Sequence, residues 1–269
     1  MESRGQVDRN DGFRANLSAR STLARVSSRA VAREIALVYF VIALITLGVS
    51  HTPGSFMSMY GHLLLAGSFL GVALTMARRH GRTAVDYGID LAGLLEARHD
   101  EPTHFGHGLW FALRRAVPTL ASELGFALLV AAVVFPPFVL LFRVWHGTAH
   151  DFSWHPPGDP LDFLLTHLVA IALPEEALFR GYFQTRLTDL SAARVRVLGA
   201  ELSPWALLCQ AALFALLHFL VGFSPARLAV FFPGLLFGWI RARRSGIGAA
   251  VWFHALCNVL AELLTRGYL

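Results

Sequence analysis

The 269-residue chain has no lysine: all 23 of its basic residues are arginine. Charge of either sign is scarce, at 15% of residues, where a soluble globular domain carries roughly 25%. The two cysteines, Cys209 and Cys257, each sit inside an apolar run, so neither a disulfide framework nor a zinc cluster can be built from them. These shortages exclude a soluble domain, a disordered chain, a collagen and a disulfide scaffold. The lack of lysine reads as the mark of a GC-rich genome and carries no mechanism. Hydrophobic residues, by contrast, make up 55% of the chain and raise its mean hydropathy to +0.53, in long runs punctuated by Arg clusters. That pattern predicts an all-α, polytopic transmembrane helical bundle.

The net charge of +5 does not point to nucleic acid, because the arginines lie between apolar runs and are not gathered on one polar segment. Residues 1–34 carry seven Arg ahead of the first apolar run; they are too long and polar for a signal-peptide leader, and no small-residue cleavage site follows, so they read as a retained basic tail. Seven spans follow: Ile35 to Ser50, Met57 to Ala77, Thr119 to Phe142, Leu161 to Phe183, Pro204 to Val221, Leu228 to Ile240 and Ile247 to Thr265. The first and sixth fall short of the ~20 residues that cross a hydrocarbon core, so tilt, half-insertion or neighbouring helices must support them. The chain thus divides into the tail (1–34), N-terminal membrane helices and loops (35–160) and a C-terminal membrane core (161–269).

With the N-terminus in the cytoplasm, 19 arginines fall in cytoplasmic segments and three (Arg143, Arg227, Arg266) on the other side, with Arg180 inside a span. This asymmetry predicts both the orientation and an odd number of crossings. In the cytoplasmic stretch from Thr83 to Pro118, the mixed run Phe105 to Arg115 reads as an interfacial helix. The outer loop from Val144 to Pro160, with Trp145, Trp154 and the turn at Pro156-Pro157-Gly158, reads as an aromatic-anchored connection. Two small-residue pairs, Gly67 with Gly71 and Gly234 with Gly238, are expected to allow close helix packing.

An ionisable side chain inside a span costs from about 2.5 to more than 10 kcal/mol, so each one marks a functional hypothesis. The fourth span carries Glu175, Glu176 and Arg180 just after Pro174, the fifth carries His218 four residues after Phe214, and the seventh carries His254 and, four residues on, Asn258. Glu176 and Arg180 are placed for an intrahelical ion pair, which leaves Glu175, about 100° around the helix, to face a neighbour. Pro174 removes one helical hydrogen bond and is expected to kink the helix and admit water. At 1.5 Å per residue, Glu175, His218 and His254 lie ~16, ~21 and ~13 Å from their cytoplasmic helix ends, which permits one shared layer. A carboxylate and two imidazoles in a wet pocket can hydrolyse a peptide bond: Glu175 takes a proton from water also held by His218, and His254 with Asn258 donates to the oxyanion. His167 reads as structural or as lining a water path, and the remaining histidines as solvated.

Taken together and in order, E-E-x-x-x-R, F-x-x-x-H and H-x-x-x-N on three spans resemble the CPBP family of intramembrane proteases, the CAAX protease and bacteriocin-processing (Abi) family, over about Leu161 to Leu264. All positions match: Glu175, Glu176 and Arg180; Phe214 and His218; His254 and Asn258. The resemblance implies a multi-helix membrane core in which Glu175 and His218 activate water, His254 and Asn258 form the oxyanion site, and Arg180 and Phe214 support it. It implies a metal-independent glutamate protease with no cofactor. The alternative is a zinc enzyme with Glu175, His218 and His254 as ligands, although no H-E-x-x-H cassette is present. Implied partners are membrane lipids and a membrane-anchored or lipidated protein substrate: a prenylated C-terminal tripeptide, a bacteriocin leader or a sorting tail of the myxosortase-like kind. Composition favours a bacterial inner membrane and the sorting tail. A proton-coupled transporter, or a non-catalytic immunity or scaffold protein on the same fold, stands as the competing class.

Overall fold

The computed structural model describes residues 4–90, 105–148 and 150–269, with the side chains of 4–27 and several of 105–115 outside the description. Seven helices account for nearly all of it. They are α1 (Arg4–His51), α2 (Ser55–Arg79), α3 (Phe105–His146), α4, α5 (Pro204–Gly222), α6 (Phe231–Arg244) and α7 (Gly248–Tyr268). Helix α4 is composite: Pro160–Leu165, Thr166–Ala172, Leu173–Glu176, Ala177–Phe183 and Gln184–Asp189 follow without a break, the second and fourth of them wound as π-helix. Asp159 caps its start by accepting from the Leu161 and Asp162 N–H groups. Ser203 caps α5 in the same way through Ala206.

The chain is an integral membrane protein of all-α class. Five segments are long and apolar enough to cross a bilayer: Ser28–His51, Ser55–Arg79, Ala116–His146, Pro204–Gly222 and Gly248–Tyr268. The expected fourth and sixth spans do not qualify. In α4 the two π segments and the acids interrupt any uniform apolar α-helix. The sixth begins as a 3-10 turn (Pro225–Val230), leaving α6 only 14 residues, the last of them arginines.

Other expectations are corrected in detail. The basic segment from Arg4 is helical and continuous with the first span in α1. Residues 105–115 are the opening turns of α3 and not a helix of their own. A short hairpin, β1 (Val195–Val197) with β2 (Ala200–Leu202), joins α4 to α5 around Leu198 and Gly199, both at positive φ as a two-residue turn demands. The Trp239 indole N–H donates to Val197 O at 3.0 Å and ties this hairpin to α6.

The bundle has two distinct ends. At one, Glu34 of α1 accepts from Tyr182 Oη at 2.9 Å, Arg186 Nε at 3.2 Å and His80 Nε2 at 2.9 Å, while His80 Nδ1 meets Tyr87 Oη at 2.7 Å. His80 is therefore a structural tie and not a solvated histidine. Tyr87 and Ile89 are fully buried there, and Ile247 N–H donates to Gly88 O at 2.8 Å. Asp86 holds this turn by accepting from the Thr83 N–H and hydroxyl, which keeps its carboxyl below the usual carboxylate range. At the other end His51 bonds Leu220 O at 2.8 Å and stacks on Phe223, joining α1 to α5.

The glycine pairs divide. A Cβ on Gly238 would lie 2.6 Å from Gln210 Nε2 and 2.6 Å from Leu207 Cδ1, so only glycine lets α6 approach α5. Around Gly67 and Gly71 a Cβ meets nothing within 4 Å, so that pair does not mediate close packing among the described residues. Gly238→Ala is expected to cost about 1–3 kcal/mol through overpacking, read as a lower melting temperature in detergent, whereas Gly67→Ala leaves the melting temperature unchanged or slightly raised.

Candidate active site

Glu176 is fully buried, as are Arg180 and Gln210. Its Oε1 accepts from Arg180 Nη1 at 2.9 Å and from His254 Nδ1 at 2.8 Å, with the Glu176 and Arg180 side chains both 0% exposed. Arg180 also donates through Nη2 to Gly234 O at 3.2 Å, and its guanidinium lies 4.3 Å from the Phe214 ring centroid and 4.9 Å from that of Phe237. A buried cation is tolerable only when paired and hydrogen-bonded, and here a carboxylate, a carbonyl and two aromatic faces meet that need.

Glu175 points elsewhere. Its Oε2 lies 3.8 Å from His218 Nε2 and 3.7 Å from His254 Nε2 and has no hydrogen-bond partner within the protein. Helix α4 brings both acids to this layer through its unusual winding. Pro174 supplies no N–H, and π turns, which recur at functional sites, flank the short Leu173–Glu176 segment on both sides. The expected effect of Pro174 thus takes the form of widened turns.

Both imidazoles are oriented by their other nitrogen. His218 Nδ1–H donates to Phe214 O at 3.0 Å, and His254 Nδ1–H donates to Glu176. Each ring therefore turns Nε2 toward Glu175. Phe214 packs between them, 4.4 Å from the His218 ring and 5.9 Å edge-on to that of His254, while Phe237 stacks on His254 at 4.7 Å. The Glu175 side chain keeps 17% exposure and that of His218 24%, so both can meet water, unlike Glu176.

Two cavities adjoin this cluster. A small one of about 90 Å³ is bounded by Thr46, His62, Pro174, Glu175, Leu217 and His218. A larger one of about 470 Å³ runs among α3, α5, α6 and α7, with His218, His254 and Asn258 on a wall otherwise lined by Phe135, Phe232 and Phe253, among others. Asn258 thus shares a cavity with both histidines. His167 stands apart, edge-on to Phe163 at 4.5 Å.

Sequence reasoning missed three members of the setting. Gln210 Nε2 donates to Gly234 O at 3.0 Å, Gln184 Nε2 donates to Gly238 O at 2.9 Å, and Phe237 covers both Arg180 and His254. The glutamines carried a usable signal, since uncharged amides inside a span also need partners. Phe237 carried none among 21 phenylalanines.

Residues 157–260 match the family described as "Rce1-like: Type II CAAX prenyl endopeptidase Rce1-like". This part of the chain is similar to the CAAX protease family. The protein is accordingly a peptide hydrolase of the intramembrane class, and every polar residue of the cluster falls inside the matched segment. Comparison with curated proteins and with solved structures gives no match.

Removing one partner of a buried pair strands the other charge. Arg180→Leu is expected to cost about 3–5 kcal/mol, read as loss of monodisperse protein on size exclusion. The double variant Arg180→Met, Glu176→Gln recovers much of that loss, because no lone charge remains.

Proposed function

We propose that the protein is an intramembrane endopeptidase in which Glu175 and His218 activate water without a metal and His254 with Asn258 receives the oxyanion. The observation that carries this reading is the convergence of one carboxylate oxygen and two imidazole Nε2 atoms at 3.7–3.8 Å. A water about 2.8 Å from Glu175 Oε2 and His218 Nε2 donates one proton to each acceptor and leaves its lone pairs free. Glu175 takes the proton as the oxygen bonds to the peptide carbonyl carbon. His254 bearing a second proton at Nε2, together with the Asn258 amide, donates to the resulting oxyanion. Collapse of the intermediate breaks the C–N bond, and the proton on Glu175 passes to the departing amine. Glu175, Glu176, Arg180 and a protonated His254 sum to zero charge, a balance that suits a low-dielectric site.

The zinc alternative has one observation in its favour. Both Nδ1 atoms are engaged by an oxygen, the His254 one by a carboxylate, and metal-bound histidines are commonly oriented this way. Against it stands the sequence, which carries no H-E-x-x-H cassette.

The substrate in this reading is a membrane-anchored protein cut near an apolar tail, and the membrane is a bacterial inner membrane. Glu175→Gln is expected to lower hydrolysis by at least 10³-fold while expression and membrane insertion persist, because Glu175 Oε2 makes no hydrogen bond within the protein that the amide would break. The measurement is mass spectrometry of membrane-protein C-termini with active and Glu175→Gln chains. Equal processing by both rejects the enzyme reading. Activity that survives chelation in protein free of stoichiometric metal supports the metal-free route, and stoichiometric zinc lost together with activity overturns it.

A further inference from the structure

The cavities at the cluster lie in the half of the bundle opposite most of its arginines, with Arg143, Arg227 and Arg266 the exceptions. The lining residues lie toward the end remote from the arginine cluster. In α1, Glu34 stands near the Arg33 end and Thr46 near the other. In α2, Arg78 and Arg79 close the helix while His62 lies near its start. In α3, Arg114 is near the start, and Phe135 and Phe138 lie toward the end, which carries the single Arg143. His218 is four residues from the last residue of α5, and Phe232 and Pro233 open α6, which finishes in Arg241, Arg243 and Arg244.

The arginine end is closed. Phe179, Tyr182 and Phe183 of α4 are fully buried between the cluster and that end, beneath the turn carrying the buried Tyr87 and Ile89. A Cβ at Gly181 would already lie 3.0 Å from Ile89. On the remote side, a third cavity of about 250 Å³ at the α1–α2 connection, lined by Ser50, Thr52 and Ser58, shares His62 and Leu65 with the small cavity at Glu175. Thr46 is 1% exposed, its hydroxyl has no partner within the protein, and it borders that small cavity, where it offers a water one hydrogen bond.

The positive-inside asymmetry puts the arginine end in the cytoplasm. Resting on the protease reading, we infer that the catalytic chamber opens to the extracytoplasmic side and that its substrate is an exported protein cut there, beside an apolar membrane-anchoring segment. The large cavity fits such an occupant. Its lining holds no Asp, Glu or Arg and is mostly apolar, so it offers an apolar segment a matching wall. A lipidated tail held at the cytoplasmic surface meets the closed end.

Membrane topology tests this independently of activity. In a Cys209→Ser, Cys257→Ser background, Ala229→Cys at the large cavity and Arg82→Cys at the arginine end are labelled with a membrane-impermeant maleimide, in spheroplasts and in inverted vesicles. Ala226→Cys serves as a second reporter beside the cavity. The expected result is labelling of Ala229→Cys and Ala226→Cys in spheroplasts only, and of Arg82→Cys in inverted vesicles only. Cavity thiols that fail to react from outside, or that react from the same side as Arg82→Cys, overturn the inference while leaving the protease reading intact. Proteins left uncut by the Glu175→Gln chain should carry the uncut bond outside the cytoplasm; uncut tails confined to the cytoplasm overturn the substrate class. Equal processing by the Glu175→Gln and unaltered chains instead rejects the protease reading itself.

Discussion

The bond from His254 Nδ1 to the Glu176–Arg180 pair is the constraint on which the site depends. Three buried side chains from two helices neutralise one another. The pair alone would be a costly burial, since desolvation of two charges offsets much of their attraction. Its return is positional: with Glu176 engaged, one imidazole nitrogen is fixed and the other is turned toward Glu175. The neighbouring acids thereby acquire different work, one holding the architecture and one left without a protein partner.

The packing around the pair follows from the same need. Arg180 sits against Phe214 and Phe237, and the carbonyls of Gly234 and Gly238 serve Arg180, Gln210 and Gln184. Glycine at 238 is what lets α5 and α6 come close enough for those carbonyls to be reached. Helix packing and charge burial are one arrangement here, which explains why the Gly67 pair, with no buried polar group to serve, makes no comparable contact.

Much of this was legible in the sequence because hydrocarbon makes polar residues conspicuous. Glu175, Glu176, Arg180, His218, His254 and Asn258 stood out against apolar neighbours, and the i, i+4 spacing of Glu176 and Arg180 anticipated their ion pair. The π winding of α4 was not legible, since no local residue pattern distinguishes a wide turn from a proline kink. Nor was the role of His80, whose partners Glu34 and Tyr87 depend on tertiary placement. The 3-10 start before α6 hid inside an apolar run that read as a span, because hydropathy is blind to helix type.

The most direct measurement is the protonation of the two site histidines in membranes, by solid-state NMR of ¹⁵N-histidine-labelled protein. The arrangement described here places a proton on Nδ1 of both His218 and His254, the His254 signal shifting when Glu176 is replaced by Gln. A His254 ring with a bare Nδ1, or one indifferent to Glu176, would contradict it.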